Sequence, residues 1–207
     1  MKYRHFFWDF DGTLFDTYPR ITRAFQKGLA DAGISASYEE LFPEIKVSLA
    51  HAAQCFAGDL PFETVLRNYH LHAEEEGFES LIPFPGMREF LTAVRECGGW
   101  NYLNTHRGQT AWDALEHFRL MPLFAGGATS LDHFPPKPAP DSLNALCDRY
   151  GLNKSECIML GDRDIDLYAC LSAGMAAACI DPDGFCPKGI VPIHASSFSE
   201  LSQLLLD

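Results

Sequence analysis

Residues 5–17 read His5-Phe6-Phe7-Trp8-Asp9-Phe10-Asp11-Gly12-Thr13-Leu14-Phe15-Asp16-Thr17. The aromatic run His5–Trp8 is short, lacks polar alternation and stops abruptly at acidic residues. That pattern predicts a buried strand that ends in a loop. Asp9 and Asp11 sit two residues apart at this exit. They can converge on one metal ion or divide into nucleophile and acid–base roles. Gly12 allows the chain to turn sharply there. Taken alone, the segment reads equally well as a plain D-x-D-G turn. A calcium loop counted from Asp9 needs Gly at its sixth position and Glu at its twelfth. Leu14 and Arg20 occupy those places.

A second acidic cluster, Gly161-Asp162-Arg163-Asp164-Ile165-Asp166, follows another apolar run, Cys157–Leu160. Two acidic clusters at two strand exits are harder to ascribe to solvated loops than one. Between them, Thr105 follows a predicted strand over Trp100–Asn104. Lys137 lies in Pro135-Pro136-Lys137-Pro138-Ala139-Pro140, whose prolines hold the loop extended. A hydroxyl and an ammonium suit a phosphate group.

Further strands are predicted near Ala125–Thr129 and at Ala176–Ile180. Helices are predicted over Pro19–Ala32, Tyr38–Phe56, Phe62–Gly77, Met87–Val94, Thr110–Phe118, Asp141–Tyr150 and Ile165–Ala173. A final helix is predicted with Ser199 as its N-cap. Alternating strands and helices imply an α/β fold with a parallel sheet covered on both faces. Ligands bind such sheets at the carboxyl ends of the strands. Positions 16–83 read as a helical block with 5 basic and 11 acidic residues, and no convincing strand appears between Thr17 and Ile82.

The chain has 207 residues, 47% hydrophobic and 21% charged, which is ordinary globular composition. Its 16 basic and 28 acidic residues leave a net charge of -12, which repels nucleic-acid backbones. A small anionic substrate needs something local, such as a metal ion, to offset that repulsion. No run of ~18 apolar residues is present, so no membrane-spanning helix is expected. The seven cysteines form no C-x-x-C pair and mostly lie in apolar segments, the pattern of reduced thiols in a cytoplasmic protein. With the first motif starting at Asp9, no removable leader is expected.

In order and context, WDFDGTLFDT, YLNTHR, KPAPD and LGDRDIDL resemble the four motifs of the haloacid dehalogenase superfamily of phosphotransferases. The helical block resembles the small cap of its phosphoglycolate phosphatase-like branch. The resemblance implies a Rossmann-like three-layer core over 1–15 and 84–207, with a helical cap over 16–83 inserted after the first motif. It implies that Asp9 attacks phosphorus, forming an aspartyl-phosphate. Asp11 would protonate the leaving oxygen and later activate water. Thr105 and Lys137 would bind the phosphoryl group, with the backbone around Gly12 and His106 helping. Asp162 would ligate Mg2+ with the Asp9 carboxylate and the Asp11 carbonyl, and Asp166 would support that site.

The activity implied is hydrolysis of a small phosphate monoester. Alternatives are a sugar phosphomutase of the same superfamily and a non-catalytic phosphate-binding or regulatory protein that keeps the scaffold. Asp11 speaks against dehalogenases and phosphonatases. The scarcity of cationic residues in the cap speaks against a bisphosphate-holding mutase. Substrate selectivity is expected from Arg20, Lys46 and Arg107, with Arg23, Ser48 and His51 as further polar candidates. The expected partner is a small phosphorylated metabolite, with neither nucleic acid nor membrane, in a monomer or homodimer.

Overall fold

Phe6 and Trp8 point to one face of the first strand and Phe7 to the other, and all three are fully buried. A strand that reads apolar on both faces belongs in the middle of a covered sheet. In the computed structural model, which describes residues 1–75 and 77–206, it is there. Strand β1 (His5–Trp8) lies inside a six-stranded sheet of order β5-β4-β1-β6-β7-β8. The other members are β4 (Trp100–Asn104), β5 (Phe124–Ala128), β6 (Cys157–Gly161), β7 (Ala176–Ile180) and β8 (Ile193–Ala195). Every pairing is parallel.

The register decides where the chemistry sits. Trp8 pairs with Leu103 of β4 on one side and with Leu160 of β6 on the other. The residues that follow, Asp9, Asn104-Thr105 and Gly161-Asp162, therefore leave three adjacent strands at the same level. The chain order reverses at β1, where open α/β sheets place their ligands.

Helices cover both faces. On one, Phe90 of α5 (Met87–Glu96) and Phe198 of α9 (Phe198–Leu205) pack on Phe6 and Trp8 with ring centroids 5.5–6.0 Å apart. On the other, Phe7, Tyr102 and Met159 share a core with Leu143 and Leu146 of α7 (Asp141–Tyr150) and Leu167 of α8 (Asp164–Ser172). The buried Trp8 indole donates to Asn101 Oδ1 at 3.0 Å, and Asn101 Nδ2 donates to two main-chain carbonyls. The polar groups inside this layer are thus paired. Helix α6 (Gln109–His117) completes the set.

The chain divides into two units, Met1–Phe15 with Pro83–Asp207, and Asp16–Ile82. The two-residue strands β2 (Phe15–Asp16) and β3 (Ile82–Pro83) pair with each other, and the unit boundary falls inside both. The second unit is helical: α1 (Tyr18–Asp31), α2 (Tyr38–Val47), α3 (Leu49–Phe56) and α4 (Phe62–Glu75). Its own core gathers Phe25, Leu29, Leu41, Ile45, Ala52, Val65 and Tyr69.

The structure departs from the sequence reading in several places. The helix expected over Tyr38–Phe56 is two helices. Ser48 adopts an extended backbone between them, and its hydroxyl accepts from the His51 amide at 3.0 Å, starting α3. The last helix is capped by Ser197 rather than Ser199, since Ser197 Oγ accepts from the Glu200 amide at 3.2 Å. Strands β2, β3 and β8 were not expected, because strands of two or three residues have too little sequence to show a period. All seven cysteines are free thiols, with Cys55 and Cys97 exposed and the others buried. No helix among the described residues is long and apolar enough to cross a membrane.

Candidate active site

Asp9 leaves β1 with its amide tied to the Leu160 carbonyl at 3.0 Å. Phe10 turns inward and stacks on Phe15, with centroids 4.6 Å apart. Its carbonyl accepts from the amides of both Leu14 and Phe15, each at 3.1 Å, which closes a tight loop. Gly12 takes a left-handed φ of 74° inside that loop. Its amide donates to the Phe15 carbonyl, so the turn itself is hydrogen-bonded. Asp9 and Asp11 flank the inward Phe10 and project away from it.

Lys137 is the hub of the site. Its ammonium lies 2.7 Å from Asp9 Oδ1, 2.5 Å from Asp166 Oδ1 and 3.1 Å from the Asn104 carbonyl. These three contacts match the three N–H donors of a lysine. Its side chain is only 2% exposed. Burial pulls the lysine's proton affinity down, but Asp166 and Asp9 more than offset it and hold the pKa above the ordinary value. Burial pushes the Asp9 carboxyl up to about 6, against the pull of Lys137.

His106 acts through its ring. Its Nε2 accepts the Lys137 amide at 2.9 Å, which pins the proline-rich loop to the end of β4. An acceptor nitrogen requires the neutral ring. Burial, then the neighbouring Lys137 charge, hold the His106 pKa down to about 4. Thr105 Oγ1 accepts from the Arg107 amide at 3.2 Å, so its hydroxyl proton remains available to a ligand. Thr105, His106 and Lys137 line a hollow of about 340 Å3 together with Thr129, Phe134 and Ser142.

Asp162 comes from the turn after β6 and Asp166 from the first turn of α8, and both are fully buried. Asp162 Oδ1 accepts from the Thr13 hydroxyl at 3.4 Å, which links the two acidic motifs. Asp9, Asp162 and Asp166 each offer a carboxylate oxygen, and these atoms lie within 4.8 Å of one another. Asp9 Oδ2 is buried and accepts no hydrogen bond. Three buried carboxylates face one buried ammonium here. Crowding buried carboxylates in this way is costly. Hard oxygen donors with few protein carboxylates fit a Mg2+ ion.

Arg107 is a candidate for reading substrate. Its guanidinium lies on Asp11 in this structure, with Nε 2.9 and 2.8 Å from the two carboxylate oxygens and Nη2 2.7 Å from Oδ1. It also stands over the Phe10 ring, 4.9 Å from the centroid. The clamp on Asp11 was not legible in sequence, because a loop arginine after a strand carries no signal of its partner. Arg20 and Lys46 belong to the second unit. Arg20 donates to the Ala73 carbonyl at 2.9 Å, and the Lys46 ammonium sits 4.4 Å from the centre of the Tyr18 ring. His51 Nε2 meets Glu44 Oε2 at 2.7 Å, Ser48 caps α3, and Arg23 is exposed.

A parallel α/β sheet thus brings two acidic strand exits, a buried lysine and a strand-end threonine to one edge. Residues 3–174 match the haloacid dehalogenase-like hydrolases, and the chain belongs to that family. It is similar to a phosphoglycolate phosphatase of Aliivibrio fischeri, with 26% identity over 80% of this chain and 78% of the relative. It is also similar to a fructose-1-phosphate phosphatase of Escherichia coli, with 24% identity over 85% of this chain and 95% of the relative. A predicted phosphoglycolate phosphatase from Haemophilus somnus has a crystal structure of the same fold. It superposes with a TM-score of 0.85 at 19% identity, over 99% of this chain and 98% of that one.

Proposed function

We propose that the protein is a Mg2+-dependent phosphatase that hydrolyses a small phosphate monoester through an aspartyl-phosphate on Asp9. The observation that carries this reading is the Asp9 carboxylate. Lys137 holds one oxygen at 2.7 Å, and the other is buried and accepts no hydrogen bond. A carboxylate fixed in this way can attack phosphorus with one oxygen and serve a cation with the other.

The first transfer forms a bond from an Asp9 oxygen to phosphorus and breaks the phosphorus–ester oxygen bond. Asp11 supplies the proton that the leaving oxygen needs. In the second, Asp11 takes a proton from water as water attacks phosphorus, and the Asp9 carboxylate is released. Proton transfer of this kind contributes about 10²–10⁴ in rate. Arg107 keeps Asp11 oriented between transfers, and Asp11 gives up part of that clamp to reach the leaving oxygen. Thr105 and Lys137 supply a hydroxyl and a fixed positive charge for the phosphoryl oxygens, which the site offers without reorganising. Asp9, Asp162 and the Asp11 main-chain carbonyl would hold Mg2+, which when bound offsets negative charge on the phosphoryl group.

The relatives' substrates, a two-carbon acid phosphate and a ketose phosphate, support a small phosphorylated metabolite as the ligand. The protein is expected to act in the cytoplasm. The test is turnover of p-nitrophenyl phosphate. D9N is expected to lose activity to background, and EDTA to silence the wild type until Mg2+ is restored. Substantial turnover by D9N contradicts the assignment of the nucleophile, and normal activity in EDTA contradicts the metal.

A further inference from the structure

Cys179 and His194 stand opposite each other. Cys179 of β7 is in register with His194 of β8, so the two side chains leave neighbouring parallel strands on one face. The connection between these strands folds back onto its own base. The Asp181 amide donates to the Ala195 carbonyl at 2.9 Å, and Asp181 Oδ2 accepts the Cys186 amide at 2.6 Å. This brings Cys186 over the strand pair, beside Cys179. Both cysteines are buried, at 0% and 6% exposure. Ligand atoms of Cys179, Cys186 and His194 lie within 4.8 Å of one another. His194 Nε2 is buried and has no hydrogen-bond partner. A buried polar atom without a partner costs free energy, and it calls for an explanation such as an ion.

From this geometry we infer a second metal site, in which the Cys179 and Cys186 thiolates and His194 Nε2 bind a zinc-class divalent ion. Two sulfurs and one imidazole nitrogen are a recognised tetrahedral set, with the fourth position left for water or an added ligand. Bond lengths of about 2.3 Å to sulfur and 2.0–2.1 Å to nitrogen put such ligand atoms roughly 3.3–3.8 Å apart. Small rotamer changes bring the three atoms to that spacing. The set is soft, whereas Asp9 and Asp162 are hard, so the two sites select different ions. The sequence hides this one, because a spacing of six and then seven residues is not a ligand pattern until the register of β7 and β8 is known. The ion would fasten the 181–192 connection to the edge strand. Binding is not a redox step. Each thiol loses its proton as its sulfur–metal bond forms, so two protons are released per ion.

The test is a Co2+ titration of the full reduced chain, with excess Mg2+ present to occupy the acidic site. The expected result is saturation at one equivalent. Thiolate-to-metal charge transfer and the visible bands of tetrahedral cobalt should appear, and two protons should be released. Zn2+ should erase the spectrum. D162N and C55S should leave it intact. C186S should lose charge-transfer intensity, and H194Q should weaken binding by more than the roughly 10–100-fold that losing an outer-shell partner costs. Absence of charge transfer in the reduced wild type overturns the proposal without any variant. So does a spectrum that survives in C179S/C186S or disappears in C55S.

Discussion

Lys137 stands between Asp9 and Asp166, so one buried ammonium serves two buried carboxylates. The sign of the resulting pH dependence can be worked out for Asp9. Its folded pKa, about 6, lies above the ordinary 3.8. Between those values the folded state holds a proton that the unfolded chain has released. Asp9 therefore contributes stability at low pH that is lost as pH rises through about 6. Removing the carboxylate should reverse that loss. In EDTA, the urea midpoint of D9N relative to wild type should increase from pH 4 to pH 7 and then level off. A difference that shrinks as pH rises would contradict the buried, ionised Asp9. Nothing in the sequence announces this strain. The residues Asp9, Asp162 and Lys137 stand out in the motifs, but the proximity that couples them comes from the register of three strands.

Helix α8 starts where Asp162 and Asp166 are needed, and Gly161 makes that start possible. A Cβ at Gly161 would come within 2.3 Å of Asp166 Cβ, an atom fixed by the helix backbone. Gly161→Ala is thus expected to push α8 off the end of β6 and to pull Asp166 from Lys137. Overpacking of this kind costs about 1–3 kcal/mol, read as a lower urea midpoint, and activity should fall with it. Unchanged stability and turnover would show that α8 has room to spare. At this scale much was legible. Five of the six sheet strands were expected from the sequence, and the ends of those five are marked by Asp, Thr, Asn or Gly. The break at Ser48 was not, because a serine between two helical patterns looks like an ordinary surface position until its backbone is seen extended. Strand β8 and the Cys179–Cys186–His194 cluster were also hidden. Both depend on pairing across the sheet rather than on local pattern.

Over the whole molecule, the net charge of -12 opposes an approaching phosphate. Salt should relieve that opposition. Raising ionic strength from ~0.01 M to ~0.15 M shortens the screening length from about 30 Å to about 8 Å. At saturating Mg2+, kcat/KM for an anionic monoester is therefore expected to rise over this range. A steep fall would mean that a local positive field, not the overall charge, governs encounter. The composition thus bears on the rate of arrival, while Lys137, Thr105 and the acidic exits bear on what happens afterwards. Substrate choice was not legible in the same way. Arg20, Lys46 and His51 of the helical unit contact a main-chain carbonyl, a tyrosine face and a glutamate, and none of these contacts names a substrate.

In the proposed reaction phosphorus passes through Asp9. Acid-quenching the enzyme during turnover of a 32P-labelled monoester with Mg2+ tests it directly. Acid-stable, hydroxylamine-labile label is expected on the peptide that contains Asp9, and none in D9N. Label on another residue, or full turnover by D9N without label, would contradict it.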